Sequence, residues 1–344
     1  MTTEIFRKEM CNKVINNTHK THMDLPIELR IATEKLIEGH KQEQLKKVSQ
    51  KLSERYRYES GEGKTLLSQY IEAVVYSLVR LPATFGAVTD AIQYSLEYFD
   101  GEMKSLLDVG AGTGAATWAI VNVLPIKQVT CLEREVAMRQ VGEMLMREGS
   151  DELVNAKWIS VDLTNSDIEV SADLVVSSYV INEMAKEERQ KVIENLWNAT
   201  DKMLLIVEPG TPAGFGVIKE ARSYILDKGG YILAPCPHMG ECRIGEDDWC
   251  HFTCRVQRSK IHKLLKEADV AYEDEKYSYM AFVKEEIPGA KARILRHPYI
   301  EKGQISLQLC GRNKNKKVNI MKKDGKLFKI ARKAKQGDSI DIDC

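Results

Sequence analysis

The stretch LLDVGAGTGAATWA, residues 106–119, decides the fold of this chain. A short apolar run, 106–109, ends in glycines spaced G-x-G-x-G at positions 110, 112 and 114, and a helix-forming stretch follows. Glycine lacks a Cβ and tolerates positive φ, so its backbone passes close to a ligand. A strand that ends in such a loop and opens a helix is typical of nucleotide-binding α/β sheets.

Acidic residues around this loop favour S-adenosylmethionine over a dinucleotide. The spacing is one residue shorter than the G-x-G-x-x-G of dinucleotide-binding folds, and Asp108 stands two residues before the first glycine. Glu133 ends the next predicted strand, where a carboxylate can accept from both ribose hydroxyls, and Asp162 ends the third, where it can accept from the adenine amino group. The predicted cofactor-binding residues are Asp108, Gly110, Gly112, Gly114, Glu133 and Asp162. A glycine turn with strand-end acids also occurs in folds that bind no ligand.

Short apolar runs alternate with helical stretches on both sides of this motif. The runs lie at residues 105–110, 128–133, 156–162, 172–179 and 203–210. This alternation predicts an α/β protein with a doubly wound, Rossmann-like sheet of the class I S-adenosylmethionine-methyltransferase kind. Two later runs, 277–284 and 304–310, are expected to complete that sheet or its edge.

The first part of the chain has a helical pattern. Residues 26–58 place Leu and Ile at three-to-four spacing among Lys and Glu, and a second helical block, 65–81, stops at Pro82. The stretch GEGKT, 61–65, is not a P-loop, because Tyr58 stands where the first glycine is required and no strand precedes it. We predict a helical region over 1–83, a methyltransferase-like domain over 84–310 and a C-terminal extension over 311–344.

Composition excludes several classes of protein. Lys and Arg number 50 and Asp and Glu also number 50, so net charge gives no reason to expect nucleic-acid or membrane binding. No apolar run approaches the ~18 residues of a spanning helix, and the first residues lack the apolar core of a signal peptide. Glu4 and Glu9 speak against a mitochondrial transit peptide. We therefore expect a soluble, unsecreted protein without a membrane partner.

The fourth predicted strand ends in SSYVINEM, 177–184, and names no catalytic residue. It lacks the N/D-P-P-Y/F signature of amino-group methyltransferases and the Pro-Cys pair that attacks pyrimidines. Tyr179, Asn182 and Glu183 are expected near the pocket, although a helix cap explains Asn182 equally well. The sequence therefore leaves open whether the chain is an enzyme. If it is one, an S-adenosylmethionine-dependent RNA methyltransferase is the expected kind.

Five cysteines form a candidate metal site. They are Cys236, Cys242, Cys250 and Cys254, in a loop over 234–254, and Cys310, at the end of a later predicted strand. Thiolates that converge on a Pro- and Gly-rich loop are typical of zinc or iron–sulfur sites, because the metal replaces a core that the loop cannot build. The wide C-x5-C-x7-C-x3-C spacing suits a larger cluster, while His238 and His251 keep zinc open. Unliganded buried cysteines are the third alternative, and spacing does not say which cysteine is spare.

A basic stretch follows the last of these cysteines. Residues 311–336 carry eleven Lys and Arg against the single Asp324, with apolar residues between them. Such a stripe is typical of a phosphate-contacting face, with a solvated β-hairpin as the alternative. The candidate RNA-binding residues are Arg312, Lys314, Lys316, Lys317, Lys322, Lys323, Arg332, Lys333 and Lys335.

Several stretches resemble one family. They are LLDVGAGTGAATWA, DLVVSSYVINEM, LLIVEPGTPAGF, WCHFTCRVQRSKIHKLLK and KIARKAKQGD. These stretches, within about residues 70–340, resemble the small-ribosomal-subunit assembly methyltransferase-like proteins, known in mitochondria as methyltransferase-like protein 17, with bacterial relatives. The resemblance implies a 4Fe-4S cluster held by the positions that match the family's ligands, with Cys254 spare. Those positions are Cys236, Cys242, Cys250 and Cys310.

The same resemblance implies binding to small-subunit ribosomal RNA during assembly, with S-adenosylmethionine bound in some members. We therefore expect an assembly factor whose cluster has a structural role. An active rRNA methyltransferase and a zinc-stapled RNA-binding module without catalysis are the alternatives. We further expect a monomer located in the cytoplasm of a bacterium.

Overall fold

A computed structural model describes residues 23–59 and 69–344. The predictions about signal and transit peptides concern the first 22 residues, which lie outside the described residues. The GEGKT stretch lies outside them as well. The helices are α1 (Ile27–Lys35), α2 (Gln42–Glu59), α3 (Tyr70–Val79), α4 (Leu81–Leu96), α5 (Ala115–Val123), α6 (Val136–Met146), α7 (Asp151–Val154), α8 (Lys186–Asn198), α9 (Pro212–Asp227), α10 (Lys260–Lys266) and α11 (Lys326–Ala331). The strands are β1 (Ser105–Val109), β2 (Gln128–Leu132), β3 (Lys157–Ile159), β4 (Ala172–Ser178), β5 (Thr200–Pro209), β6 (Tyr231–Ala234), β7 (Phe252–Gln257), β8 (Tyr272–Val283), β9 (Ala292–Ile294), β10 (Tyr299–Glu301), β11 (Gln304–Gly311), β12 (Asn315–Met321) and β13 (Ser339–Ile340).

The larger sheet has the strand order β3-β2-β1-β4-β5-β8-β6, and β7 pairs with β8. Strands β1 to β5 pair in parallel, whereas β8 runs antiparallel to β5, β6 and β7. The order reverses between β1 and β4, which is the switch point at which doubly wound sheets bind ligands. The prediction of a doubly wound, methyltransferase-like sheet is confirmed, and β8 makes the whole sheet mixed.

Apolar side chains cover both faces of this sheet, as a doubly wound fold requires. On one face, side chains such as Leu106 and Leu205 pack against α4, α5 and α6. On the other face, side chains such as Leu107 and Leu204 pack against α8 and α9. Successive strand residues point to opposite faces, which explains why these runs are apolar without alternation.

The helical pattern over 26–58 forms two helices, α1 and α2, which are separated near Gly39. Helices α3 and α4 are largely buried against the sheet and its neighbouring helices. Over the described ranges, no single helix is long and apolar enough to cross a membrane; α3 and α4 meet the length and composition only as a pair, bent by 51°.

A second, five-stranded sheet contains β10, β11, β9 and β13 in that order, with β12 paired to β11. The expectation that the run 304–310 completes the larger sheet is therefore wrong, because β11 pairs with β9, β10 and β12 of this second sheet. Alternation of buried Ile305, Leu307 and Leu309 predicts a strand but not its partners. The second sheet begins before residue 311, and the domain boundaries at 83/84 and 310/311 stay predictions.

Candidate functional sites

A cleft of about 900 Å³, open to solvent, lies at the carboxyl ends of β1 to β4. This is the edge at which doubly wound sheets bind nucleotides. Its lining residues include Gly110, Gly112, Glu133, Asp162 and Glu183. Four of these five are predicted cofactor-binding residues, so the structure brings most of that set to one place.

Three glycines shape the loop between β1 and α5. Gly110, Gly112 and Gly114 have φ of +72°, +57° and +84°, a region that favours glycine. A Cβ on Gly110 would lie 2.4 Å from a methyl group of Val180, and the N–H of Gly110 donates to the Leu132 carbonyl at 2.9 Å. The loop is therefore packed against the segment that follows β4 and is tied to the end of β2 without a ligand.

The Glu133 carboxylate is buried and held by two backbone donors. The N–H of Gly112 donates to its Oε2 at 2.8 Å, and the N–H of Glu135 donates to its Oε1 at 2.7 Å. A carboxylate has about four acceptor sites, so both oxygens keep a free one for the ribose hydroxyls. Burial raises the pKa of Glu133, although the two backbone hydrogen bonds oppose that shift.

Asp162 lines the rim of the same cleft. Its Oδ1 accepts from the N–H and the hydroxyl of Thr164, at 3.1 and 2.7 Å, and its Oδ2 accepts from the Asn165 amide at 3.1 Å. The hydrogen bond from the Thr164 hydroxyl lowers the pKa of Asp162, so this acid is ionised at neutral pH. An ionised, partly exposed carboxylate suits the acceptor role that the sequence assigns to it.

Asp108 and Gly114 are not among the residues that line the cleft. Asp108 is fully buried, and its Oδ2 accepts from the N–H and the hydroxyl of Thr117 on α5, at 3.1 and 2.7 Å. Burial raises the pKa of Asp108 to about 7. Gly114 caps α5, and a Cβ there would lie 2.4 Å from Met146. Both residues therefore position the loop from behind, Asp108 through its hydrogen bonds with Thr117 and Gly114 as the N-cap of α5.

The cleft also contains residues at the end of β4 and from elements that the sequence did not connect with it. Tyr179 and Glu183 line it as expected, whereas the Asn182 amide points to Glu208, at 2.7 Å. The lining residues that the motifs missed include Tyr76, Arg134, Met138 and Thr164. Tyr76 comes from α3, and no local pattern predicts that this helix covers the cleft.

A second cavity, with about 420 Å³ of space that partly opens to solvent, lies between α9, β8 and the loop after β6. All four cysteines that match the family's cluster ligands line it: Cys236, Cys242, Cys250 and Cys310. Apolar side chains such as Phe215, Ile218 and Met280 form much of the remaining wall. The structure thus joins cysteines of the loop to the end of β11, in the second sheet.

The thiols in this cavity act on one another electrostatically. Burial and the neighbouring cysteines raise the pKa of Cys310 to about 12 and that of Cys250 well above the usual value. Burial also raises the pKa of Cys236, and the nearby Arg222 opposes that shift. Four thiols facing one apolar space fit a group whose positive charge stabilises thiolates. Within residues 23–59 and 69–344, no three His, Cys, Asp or Glu side chains are arranged as ligands of a single metal ion.

Cys254 and the two histidines have different surroundings. Cys254 is not a lining residue of the cavity; its Sγ lies 3.2 Å from where a Cβ on Gly86 of α4 would be. His238 Nε2 lies 3.7 Å from the Cys310 sulfur, and His251 Nδ1 lies 3.2 Å from the Trp249 carbonyl. Cys254 thus packs in the apolar core on the α4 face of the larger sheet.

Side chains of the cysteine loop bind the segments on either side. Arg243 donates to the carbonyls of Gly311 and Arg312, both at 3.2 Å, and the Asn315 amide donates to the Arg243 carbonyl at 3.1 Å. The Trp249 indole donates to the Gly210 carbonyl at 2.8 Å, just after β5. The loop therefore connects the larger sheet to the β11–β12 hairpin.

The predicted RNA-binding cations lie on β12, on the residues just before and after β12, and on the residues that follow α11. Lys316 and Lys317 are successive residues of β12 and project from opposite faces of the sheet. Of the nine predicted residues, the exposed ones without an ion pair to any described residue are Arg312, Lys314, Lys316, Lys317, Lys322, Lys323, Arg332 and Lys333. Their charges are available to an anion, but they do not form one continuous face.

Sheet order, glycine loop and strand-end acids define a methyltransferase-like α/β protein with an added cysteine cavity. Residues 70–341 match the family described as "Mitochondrial small ribosomal subunit Rsm22", and the chain belongs to that family. It is therefore a member of the small-ribosomal-subunit assembly methyltransferase-like proteins that the sequence resembles.

Two curated relatives show how far the similarity extends. Human "Ribosome assembly protein METTL17, mitochondrial" is 30% identical over 186 residues, which cover 49% of this chain and 41% of the relative. "Rsm22-cox11 tandem protein 2, mitochondrial" of Schizosaccharomyces pombe is 27% identical over 216 residues, which cover 49% of this chain and 29% of the relative. The chain thus spans less than half the length of these relatives.

Among solved structures, the magnesium protoporphyrin IX methyltransferase ChlM from Synechocystis PCC 6803, crystallised with S-adenosylmethionine, is similar to this chain. The TM-score is 0.41 at 13% identity, covering 76% of this chain and 98% of ChlM. A TM-score of this size is too low to assign a fold, which rests on the strand order instead.

Proposed function

We propose that this chain assists assembly of the small ribosomal subunit by binding its ribosomal RNA. In this proposal S-adenosylmethionine occupies the cleft and a 4Fe-4S cluster is held by the four cysteines of the cavity. Family membership supports the link to the ribosome. A monomeric state and a location in the bacterial cytoplasm stay predictions, and the curated relatives are named as mitochondrial proteins.

One observation supports this proposal most directly. Cys310 lies in the second sheet, yet it lines the same apolar cavity as three cysteines of the loop after β6. The four thiols come from two separate segments of the chain, and the rest of the cavity wall is largely apolar. Four thiols around such a space are the donor set of a 4Fe-4S cluster.

The proposed role of the cluster is structural. When bound, it supplies iron atoms that each take one thiolate. The chain itself aligns the loop, because Arg243 donates to the carbonyls of Gly311 and Arg312 at the start of the basic segment. Fixing that start orders the unpaired lysines of β12 before RNA arrives, which lowers the entropy cost of binding.

Iron and sulfide content after anaerobic purification tests the proposal. We expect a brown protein whose Cys242→Ser variant loses the visible absorbance and binds small-subunit RNA about tenfold more weakly, a change of about 1.4 kcal/mol. Cys254→Ser is the matched control, because this thiol lies outside the cavity and should leave iron content and RNA affinity unchanged. Full RNA affinity in an iron-free Cys242→Ser protein would contradict the structural role.

The same purification addresses the zinc alternative. A colourless protein with stoichiometric zinc, also lost in Cys242→Ser, would replace the cluster with a zinc-stapled RNA-binding module.

An active rRNA methyltransferase is the second candidate. It is favoured by Tyr179 and Glu183, two ionisable side chains that line the cleft where β4 ends. Incubation with methyl-labelled S-adenosylmethionine and small-subunit RNA tests it. Label on RNA that disappears in Gly112→Arg, a substitution within the glycine loop, would establish methyl transfer.

A further inference from the structure

Glu183 is an ionisable residue of the cleft whose side chain has no partner among the described residues. Its carboxylate lines the cleft and has no hydrogen bond or ion pair to any residue within 23–59 and 69–344. By contrast, Glu133 accepts two backbone hydrogen bonds and Asp162 accepts three hydrogen bonds. Glu183 is only partly buried, so its carboxylate is available to a cationic group of a ligand that enters the cleft.

The strand order says which part of a ligand would lie beside it. Asp162 follows β3, Glu133 follows β2, the glycine loop follows β1, and Glu183 follows β4. These strands are neighbours in that order. An adenosine placed with adenine at Asp162 and ribose at Glu133 therefore directs its 5′ substituent past the glycines toward Glu183.

In S-adenosylmethionine that 5′ substituent is a sulfonium, which carries a permanent positive charge. S-adenosylhomocysteine has a neutral thioether at the same position and is otherwise the same molecule apart from the methyl group. Any charge at this end of the cleft therefore distinguishes the two ligands. In a partly desolvated cleft, such an interaction is much stronger than in water.

The backbone before Glu183 supports a ligand-binding role for this end of the cleft. Tyr179 has φ of +62°, an uncommon value for a residue with a side chain. Its hydroxyl donates to Glu275 Oε1 at 2.8 Å, and the Arg80 guanidinium lies 5.8 Å from the centre of its ring. Residues in such conformations cluster at functional sites, where the surrounding contacts hold them.

We propose that Glu183 is the counter-charge for the sulfonium of S-adenosylmethionine and makes the cleft prefer this ligand over S-adenosylhomocysteine. This inference rests on the proposed binding of S-adenosylmethionine and adds a residue that sets ligand preference. Glu183 acts through its charge on the bound ligand and needs no methyl transfer to do so.

Dissociation constants for both ligands, measured by calorimetry on the full chain, test the inference. In Glu183→Gln we expect the Kd of S-adenosylmethionine to rise about tenfold and that of S-adenosylhomocysteine to rise less than threefold. Glu183→Asp keeps the charge and should keep most of the preference. Glu187→Gln is the matched control, because this exposed glutamate of α8 lies outside the cleft. The control variant should bind both ligands as the wild type does.

The pH dependence of ligand preference is a second measurement. It uses the wild-type protein alone, so it does not require any variant to fold. Burial and the charge of Glu133 raise the pKa of Glu183 to about 7, while Arg134 and Arg80 oppose that shift. Tyr76 from α3 and Glu208 from β5 also face it. Glu183 is neutral below this pKa and charged above it, so the preference for S-adenosylmethionine should rise severalfold from pH 6 to pH 8.

The outcomes separate this inference from the proposal beneath it. Equal weakening of both ligands in Glu183→Gln, or a preference that stays constant from pH 6 to pH 8, would overturn the role of Glu183 while leaving S-adenosylmethionine binding in place. A wild-type chain that binds neither ligand would overturn both.

Discussion

The nucleotide cleft and the cysteine cavity are built in opposite ways. The cleft is held by hydrogen bonds between the ends of neighbouring strands, from the Gly110 N–H to the Leu132 carbonyl and from the Gly112 N–H to the Glu133 carboxylate. The cavity collects thiols from distant segments, and burial raises the pKa of Cys250 and Cys310. The cleft is therefore formed before its ligand arrives, whereas the cavity holds thiols that only a cationic group turns into stable thiolates.

Loss of one cavity thiol should have the largest effect. Cys310→Ser should remove the bound metal group and lower the Tm by about 5 to 10 °C, because binding of that group contributes to folding. Limited proteolysis should then cut the segment between β8 and β9, where the second sheet begins. Iron analysis and thermal unfolding check this. An unchanged Tm in the iron-free variant would show that the cavity, like the cleft, forms without a bound group.

A methyl group added to the glycine loop should affect the nucleotide cleft. We expect this effect to be smaller than that of losing a thiol from the cysteine cavity. Gly110→Ala places a Cβ 2.4 Å from Val180 at a φ of +72°, so we expect S-adenosylmethionine to bind at least ~30-fold more weakly, with a loss of stability of about 1–2 kcal/mol. Iron content should not change. Gly216→Ala is the control, since a Cβ there meets nothing within 4 Å and α9 gains a better helix former. Equal iron loss in Gly110→Ala would mean that the two regions are not independent.

Weakening the link between the cysteine loop and the second sheet should lower stability by less than the two changes above. Arg243→Ala removes two hydrogen bonds, to Gly311 and Arg312, at an exposed position, so the free energy of unfolding should fall by about 1 kcal/mol. RNA affinity should fall with it. Arg147→Ala, at an exposed arginine that ends α6, should change the free energy of unfolding by less than about 0.5 kcal/mol. Equal effects of the two substitutions in urea titrations would show that Arg243 does not couple the sheets.

A single basic residue should have the smallest effect. Lys317→Ala removes one exposed charge from β12, so the slope of log affinity for RNA against log salt should become shallower by about 1. Stability should not change. Lys186→Ala, exposed at the start of α8, is the matched control and should leave the slope as it is. An unaltered slope in Lys317→Ala would favour a purely solvated β-hairpin.

Local patterns predicted the elements of the cleft well. The glycine loop and the acids after β2 and β3 lie where sequence spacing placed them, because each belongs to one strand–loop unit. The role of Asp108 was misjudged, since its distance from Gly110 does not reveal that its side chain faces Thr117. Tyr76 was missed altogether, because α3 reaches the cleft through packing between distant parts of the chain.

Sequence by itself determined the strand and helix alternation of this protein, its glycine loop, its strand-end acids and its supply of cysteines. These features follow from backbone conformation and hydrophobic period, which act over a few residues. Only the tertiary structure decided that β11 leaves the larger sheet, that Cys310 meets three loop cysteines and that Glu183 lines the cleft near the glycines with no partner among the described residues. Such contacts depend on how whole layers pack, because partners far apart in the chain leave no local pattern.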